Sequence, residues 1–240
     1  MKNSEGQKVP EVTFRTREGS AWKDVTTKEL FEGKTVVVFS LPGAFTPTCS
    51  SNHVPRYNEL APVFRAKGVD DIICLSVNDG FVMQAWQADQ HAHDVRFIPD
   101  GNGEFSQAIG ALVDKRNLGF GQRSWRYSML VKDGVIVKQF IEPEQDGDPF
   151  EVSDAETMLR YLDENVKLPH DVLMLSRPGC SFCDKAKAML EQRGISYDEV
   201  ASNPRRLKAV SGKTTTPQIF IDGEYVGGAA ELETWLSKHA

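Results

Sequence analysis

Twice in this chain a short apolar run leads into a turn that delivers a cysteine to the start of a helical pattern. The first instance is Val36–Phe39 followed by Pro42-Gly43-Ala44-Phe45-Thr46-Pro47-Thr48-Cys49. The second is Val172–Leu175 followed by Arg177-Pro178-Gly179-Cys180-Ser181-Phe182-Cys183. An apolar run without alternation reads as a strand buried on both faces, and strand–turn–helix is the building unit of an α/β layer fold. The head of a helix offers unpaired N–H groups and a partial positive charge, so a cysteine placed there is biased toward the thiolate. Two such units in one chain point to two thiol-redox modules acting in sequence.

Bulk properties narrow the classes. A length of 240 residues allows one or two domains, and 40% hydrophobic with 26% charged residues is ordinary for a globular protein. A net charge of −6 argues against a nucleic-acid or anionic-membrane surface. No apolar stretch approaches the ~20 residues of a spanning helix, and Met1-Lys2-Asn3-Ser4-Glu5-Gly6 lacks the apolar core of a signal peptide. The four cysteines are too few for a disulfide scaffold, so a reducing compartment is expected.

Along the first part, Val9–Thr16 alternates and predicts a strand, and Thr26-Thr27-Lys28-Glu29 has the form of a capping box opening a helix through Phe31. Thr35–Ser40 and Ile72–Val77 read as buried strands. Between them a helix is predicted from Cys49 to about Lys67, kinked at Pro55 and Pro62. Helices are predicted over Phe81–Gln90 and Glu104–Ala111, and an extended piece over Arg96–Ile98. A hairpin of Tyr127–Lys132 with Val135–Glu142 turns at Asp133-Gly134. Ser153-Asp154-Ala155-Glu156 caps a helix to about Leu162.

After the polar stretch 163–170 the pattern restarts. It predicts strand Val172–Ser176, helix Phe182–Arg193, strand Ser196–Val200, a helix near Arg205–Ala209, strands Gln218–Ile221 and Glu224–Val226, and helix Ala230–Lys238. The domains are therefore placed at 1–162 and 171–240, with 163–170 as linker. The second is a βαβ unit with a hairpin and closing helix, the minimum of the thioredoxin architecture, and the first repeats the βα order on a larger scale. The expected fold class is α/β, with two thioredoxin-fold domains in tandem.

A C-x-x-C permits two chemistries. Half of a zinc site is one, but zinc usually takes a second Cys/Cys or Cys/His pair at ligand spacing. None of the five His residues lies near these cysteines, so no metal is expected. The other is a dithiol redox pair, favoured by the strand–turn–helix placement and by Thr215-Thr216-Pro217 ahead of a strand. Pro217 reads either as a simple strand-initiating proline or as a cis-proline that turns the Thr216 backbone toward the cysteine loop.

The segments Pro178-Gly179-Cys180-Ser181-Phe182-Cys183, Thr215-Thr216-Pro217-Gln218-Ile219-Phe220 and Gly227-Gly228 together resemble a dithiol glutaredoxin over 171–240. The resemblance implies that Cys180 is the nucleophile forming a mixed disulfide with glutathione, and that Cys183 is the second, partly dispensable thiol. It implies that Arg177 and Lys213 meet the glycine carboxylate of glutathione and that the Thr216 backbone meets its cysteinyl unit. The resemblance also implies that Phe182, Pro217, Gly228 and Ala229 line the same site. Glutaredoxins place acidic or hydroxyl residues just after Gly-Gly, where this chain has Ala229-Ala230-Glu231. Backbone N–H groups at that helix start are left to bind the γ-glutamyl carboxylate.

Cys49 taken alone reads as a buried inert thiol. Its neighbours suggest otherwise, with Thr46 within reach of a ligand facing the thiol and Pro42 able to shield the pocket from water. A thiol of pKa ~8.5 is about 3% ionised at pH 7, and lowering the pKa to ~6 requires about 3.4 kcal/mol. A helix dipole supplies at most ~2 kcal/mol, so a cation from elsewhere in the sequence is required. His53, one helical turn on, reads as a packing residue, Arg126 alone as a surface residue, and Cys74 as a core thiol raised by its apolar strand.

The pattern P-x-x-x-T-x-x-C resembles the peroxiredoxin signature. With Ser76-Val77-Asn78-Asp79 and Ser124-Trp125-Arg126-Tyr127-Ser128, residues 1–160 resemble the type-five (atypical) peroxiredoxins. The resemblance implies that the Cys49 thiolate attacks the peroxide O–O bond and becomes a sulfenic acid. Arg126 is then the missing cation. Arg126, the Thr46 hydroxyl and the Cys49 N–H stabilise the developing charge, and His53 belongs to the pocket wall. Many type-five peroxiredoxins carry a resolving cysteine late in the domain, but residues 140–170 contain none, which implies an external thiol.

Together the resemblances imply a peroxiredoxin–glutaredoxin fusion of the bacterial cytoplasm. The expected activity is glutathione-dependent reduction of hydrogen peroxide and small alkyl hydroperoxides, with no bound cofactor and glutathione as reducing co-substrate. A homo-oligomer is expected, with peroxiredoxin–glutaredoxin contacts within or between chains and no nucleic-acid or membrane partner. A rival reading makes the first domain an oligomerisation and binding module and the chain a general protein-deglutathionylating disulfide oxidoreductase. Consumption of peroxide in proportion to glutathione oxidised separates the two.

Overall fold

The computed structural model describes residues 1–145 and 147–239 and divides into two compact units, Met1–Val166 and Lys167–Ala240. In the first unit the chain opens with an antiparallel pair, β1 (Thr13–Glu18) and β2 (Ala21–Thr26). The first strand lies later than the alternation at Val9–Thr16 predicts. Pro10 has no N–H to give a ladder, and Lys8 makes only an isolated bridge to Val135. Helix α1 (Thr27–Phe31) carries the predicted capping box, with Thr26 as N-cap and Glu29 reaching back. Strand β3 (Thr35–Ser40) follows.

Next come a wide turn of π-helix at Cys49–His53, α2 (Val54–Glu59) and α3 (Ala61–Ala66). The expected single helix is thus divided at its prolines. Pro55 has no N–H for the Ser51 carbonyl and its ring crowds that carbonyl, so Val54 bonds five residues back, to Cys49. After β4 (Asp71–Ser76), α4 (Gly80–Asp89) and β5 (Arg96–Pro99), helix α5 spans only Glu104–Ala108. It stops short of the predicted Ala111 because Gly110 takes a left-handed φ of 69°. Strands β6 (Leu112–Asp114) and β7 (Gln122–Ser124) form a small pair that the sequence does not signal. Strands β8 (Tyr127–Lys132) and β9 (Val135–Ile141) and helix α6 (Ala155–Leu162) complete the unit.

The main sheet has the order β5-β4-β3-β8-β9, with β3, β4 and β5 parallel and β8 and β9 antiparallel to their neighbours. Successive side chains in a strand face opposite sides. Val36, Val38, Ile73 and Leu75 therefore join one core with Phe14, Phe31 and Phe105, while Phe39 faces the other side and stacks on Tyr57 of α2 at 4.2 Å. The register pairs Phe39 with Cys74, so Cys74 lies on the face covered by the helical segment that carries Cys49.

The second unit consists of β10 (Val172–Ser176), α7 (Ser181–Gln192), β11 (Asp198–Ala201), α8 (Pro204–Ser211), β12 (Gln218–Ile221), β13 (Glu224–Gly227) and α9 (Ala229–Lys238). Its sheet order is β11-β10-β12-β13, with β10 parallel to β11 and antiparallel to β12. Ala186 and Leu190 of α7 and Leu232 and Leu236 of α9 pack on Val172, Met174, Ile219 and Ile221. Truncating one such leucine to alanine typically costs about 2–5 kcal/mol, which matters in a core this small. Among the described residues, no helix is long and apolar enough to cross a membrane.

Candidate active sites

The loop after β3 is pinned before it reaches Cys49. Asn78 Oδ1 accepts from the Ala44 N–H at 3.0 Å and from the Ser76 hydroxyl at 2.7 Å. Phe45, an exposed aromatic, takes a left-handed φ of 61°, which is strained for a residue with a Cβ. The Thr46 hydroxyl donates to the Gly43 carbonyl at 2.8 Å, and the Ser50 N–H bonds Thr46 O at 3.0 Å. The chain is already turning helically when it arrives at Cys49, which is fully buried. Pro42 and Thr46 are half-buried, and the Thr46 hydroxyl acts on the Cys49 thiol.

Arg126 immediately precedes β8 and is only 1% exposed. The expectation from composition alone that it lies on the surface is therefore wrong, and it is the cation the Cys49 site calls for. Its Nη2 donates to both carboxylate oxygens of Asp148 at 2.5 Å, its Nη1 donates to His53 Nδ1 at 3.1 Å, and its plane lies over Phe150 at 5.5 Å. His53 Nε2 faces the Ser153 carbonyl at 3.1 Å. A carbonyl can only accept and a guanidinium can only donate, so the proton of His53 sits on Nε2 and the ring is neutral. Burial, and then Arg126, hold its pKa well below the ordinary 6.5.

One residue organises the segment that supplies these partners. Glu142, 1% exposed, accepts from the N–H groups of Glu151, Val152 and Ser153 at 2.8–3.0 Å and from the Ser153 hydroxyl at 2.7 Å. That clamp presents Ser153 O to His53 and to the Tyr57 hydroxyl, 3.0 Å away.

The electrostatics of Cys49 differ from the sequence-based expectation. Burial pushes its thiol up, and this outweighs the downward pull of Arg126 and the Thr46 hydroxyl, with Asp148 adding to the upward side. Helix dipole and cation can be anticipated from the sequence, but burial of the thiol, which penalises its charged form, arises only in the folded site. Cys74, also fully buried, is pushed well above 9.0 by burial and by Cys49, in keeping with a core thiol.

In the second unit Cys180 is the N-cap of α7 and is joined to Cys183 in a disulfide, and the Cys183 N–H lies 3.2 Å from the Cys180 Sγ. The Thr216–Pro217 bond is cis. The Thr216 carbonyl is 3.6 Å and its hydroxyl 3.4 Å from the Cys180 Sγ. A cleft of about 570 Å³ opens here, bordered by Arg177, Pro178, Phe182, Asn203 and Thr216. Arg177 Nε approaches the Thr216 hydroxyl at 3.5 Å, and Phe182 is 66% exposed. The Lys213 ammonium lies over the Tyr225 ring, 5.1 Å from its centre.

The start of α9 departs from the sequence expectation. Ala229 packs into the core, and the Gly228 N–H is taken by the carboxylate of Glu231 at 2.8 Å. That backbone donor is therefore already satisfied by the chain itself. Among the described residues, no group of three or more His, Cys, Asp or Glu side chains is placed to hold a metal ion.

Both sites have counterparts in known families. The Redoxin family model matches residues 4–159 and the Glutaredoxin model residues 172–226. The chain is 57% identical to the hybrid peroxiredoxin hyPrx5 of Haemophilus influenzae, over 99% of this chain and 100% of that one. This chain belongs to the peroxiredoxins, fused to a glutaredoxin domain. A peroxiredoxin of Rhizobium etli is 47% identical over 65% of this chain and 94% of its own. The crystal structure of reduced Prx3 from Vibrio vulnificus in complex with hydrogen peroxide shares 41% identity and a TM-score of 0.64, over 68% of this chain and all of that one.

The peroxiredoxin–glutaredoxin fusion is therefore a thiol peroxidase, an oxidoreductase built on two α/β domains of thioredoxin type. The first domain is an enzyme rather than merely a binding module. Of the residues singled out from sequence, Cys49, Thr46 and Arg126 come together in the peroxiredoxin domain, and Cys180, Cys183, Thr216, Pro217, Arg177 and Phe182 in the glutaredoxin domain. Sequence reasoning missed Asp148, Phe150 and Glu142, which carry no spacing signal, and it undervalued His53.

Proposed function

We propose that the chain reduces hydrogen peroxide and small alkyl hydroperoxides at Cys49, with glutathione as reductant and Cys180 as relay. The Cys49 thiolate attacks one peroxide oxygen and the O–O bond breaks. Cys49 becomes a sulfenic acid, and the departing oxygen takes a proton to leave as water or alcohol. Arg126, the Thr46 hydroxyl and the Cys49 N–H act on the charge that develops along the breaking bond.

Glutathione then condenses with the sulfenic acid, releasing water and leaving a Cys49–glutathione disulfide. The Cys180 thiolate takes over the glutathionyl group and frees Cys49, and a second glutathione attacks the Cys180 mixed disulfide to release glutathione disulfide. Alternatively, Cys183 closes on Cys180 to give the disulfide seen here, and two glutathiones reopen it.

The observation that carries this reading is the contrast between the two thiols. Cys49 is shut away from solvent, and the buried Arg126 acts on it. Cys180 lies at the head of α7 beside an open cleft, with Arg177 and the Thr216 backbone at hand for a peptide-like thiol. No bound cofactor enters the cycle. We also place the chain in a bacterial cytoplasm as a homo-oligomer, readings supported by the Haemophilus relative and by exposed Phe45, Phe81, Leu118 and Phe120.

The test is stoichiometric. The intact chain with glutathione as sole reductant should form one glutathione disulfide per peroxide consumed. Peroxide loss without matching glutathione disulfide would remove glutathione from the cycle.

A further inference from the structure

We propose that Asp148 is a positioning residue of the peroxidase site, holding Arg126 in place beside Cys49 and limiting how strongly that arginine favours the thiolate. The inference rests on Cys49 being the peroxide-reducing thiol and is independent of the reductant.

The geometry begins with the guanidinium. Arg126 is buried, its Nη2 is bound by both Asp148 oxygens, its Nη1 by His53 Nδ1, and its Nε has no partner among the described residues. Two acceptors from different parts of the chain thus fix the plane of the group, whose charge acts on the Cys49 thiol. Removing either acceptor leaves a buried cation free to tilt.

The charges around Cys49 are few. Arg126 comes from the start of β8, His53 from the helical segment of Cys49 itself, Cys74 from β4, and Asp148 from the segment after β9. His53 is held neutral and Cys74 stays a thiol. Glu142 is committed to the backbone of 151–153, and the Tyr57 hydroxyl to Ser153 O. Among these groups Asp148 is the anion that acts on the site, and its side chain is 39% exposed.

An anion paired with Arg126 opposes the arginine's effect on Cys49, because opposite charges at one place partly cancel at a third point. Asp148 therefore does two things that a mutation can separate. Its hydrogen bonds orient Arg126, and its charge offsets part of the arginine's field. Asparagine keeps an acceptor oxygen but removes the charge. Alanine removes both. Glutamate keeps the charge on an arm one methylene longer.

The experiment uses the full chain with Cys180→Ser and Cys183→Ser, so that Cys49 is read without the glutaredoxin thiols. Two quantities are followed: the pH dependence of Cys49 alkylation by iodoacetamide, located by mass spectrometry, and the single-turnover rate of Cys49 oxidation by hydrogen peroxide. Asp148→Asn should move the alkylation midpoint down by about half a pH unit or more, raising the rate about threefold at a fixed pH below it. Asp148→Ala should also move the midpoint down, yet slow peroxide oxidation about tenfold once corrected for thiolate fraction, because Arg126 is no longer oriented. A purely structural residue would not move the midpoint.

Asp148→Glu should hold the midpoint within about 0.2 pH units and slow peroxide oxidation severalfold. It carries the test if the neutral variants do not fold. A midpoint that stays put or rises in Asp148→Asn overturns the proposal. So does parent-like peroxide oxidation in Asp148→Ala, or in Asp148→Glu. Cys49→Ser in the same background is the control. If peroxide consumption survives in it, the Cys49 assignment has failed and the proposal falls with it; if consumption is lost there and an Asp148 arm fails, the proposal alone is overturned.

Discussion

Arg126→Gln removes the cation that the structure sets against the burial of Cys49. The starting point is a thiol already pushed up by desolvation, with Arg126 as the largest opposing influence. An opposite charge within hydrogen-bonding reach typically lowers a pKa by about 1–3 units. Each unit is about 1.4 kcal/mol and a tenfold change in thiolate at any pH well below the midpoint. The substitution also leaves the Asp148 carboxylate without its cation, and that charge pushes the Cys49 thiol in the same upward direction.

The expected result is a Cys49 alkylation midpoint raised by at least about one unit, with a peroxide rate at pH 7 lowered by more than tenfold. Because the thiolate is the nucleophile, rate should climb with pH in both proteins, and the variant's climb should lie at higher pH. Iodoacetamide alkylation across pH 5.5–10, with the modified cysteine located by mass spectrometry, measures the midpoint directly. Coincident midpoints would show that Arg126 does not hold the thiolate, and the electrostatic account of the site would be refuted.

Cys49→Ser should abolish peroxide consumption while glutaredoxin activity on a small disulfide persists; surviving peroxide turnover would reassign the nucleophile. Cys180→Ser should stop glutathione-driven turnover yet allow one fast oxidation of Cys49, whereas Cys183→Ser should keep much of the activity, because glutathione resolves the Cys180 mixed disulfide from solution. Equal losses in the two variants, measured as glutathione disulfide formed, would require an obligatory Cys180–Cys183 disulfide. The buried, neutral His53 has a folded pKa well below its ordinary 6.5, so the unfolded chain takes up that proton first as pH falls. Its contribution to stability is fully present above about pH 6.5 and is lost below it, at up to about 1.4 kcal/mol per pH unit. Urea midpoints of the parent and of His53→Gln between pH 7.5 and 4.5 measure this, and equal pH slopes would contradict it.

What the sequence discloses follows from how locally each feature is encoded. Thr35–Ser40 is apolar without interruption and could be only a buried strand, and the Thr26/Glu29 capping box writes both ends of its bond within one helical turn. Strand β2 gave no such signal because four of its six residues, from Ala21 to Asp24, are exposed. The peroxidase site divides in the same way. Thr46 and Cys49 stand three residues apart in one loop and are legible. Arg126, Asp148 and Glu142 meet only because β8 and β9 run antiparallel and the segment after them folds back, and no spacing along the chain records that. The burial that raises the Cys49 thiol is a property of the closed site and has no sequence signature of its own.

Cys49 and Cys180 also differ in access, and that difference makes a demand on the cycle. Cys49 has no exposed surface, so a peroxide close to the size of water can reach it, whereas a tripeptide thiol cannot approach its sulfur in this conformation. The element best able to yield is the one leading into Cys49. Phe45 is exposed and held at a left-handed φ that costs roughly 1–3 kcal/mol. The helix is already widened at Cys49–His53, and Pro55 withholds an N–H just beyond it. Against this stand the bond from the Ala44 N–H to Asn78 Oδ1 and the bond from Trp86 Nε1 to the Ser50 hydroxyl, each 3.0 Å. In the proposed cycle, oxidation takes place in the closed site, and regeneration by a tripeptide thiol requires residues 44–53 to open. Bulk should then act differently on the two half-reactions. Enlarging the hydroperoxide from hydrogen peroxide to a branched alkyl should slow single-turnover oxidation of Cys49 steeply. Relaxing the loop with Asn78→Ala should narrow that size dependence and speed glutathione's attack on the oxidised enzyme. If the bulky hydroperoxide reacts as fast as hydrogen peroxide in the parent chain, the loop opens faster than oxidation and burial of Cys49 does not select the substrate.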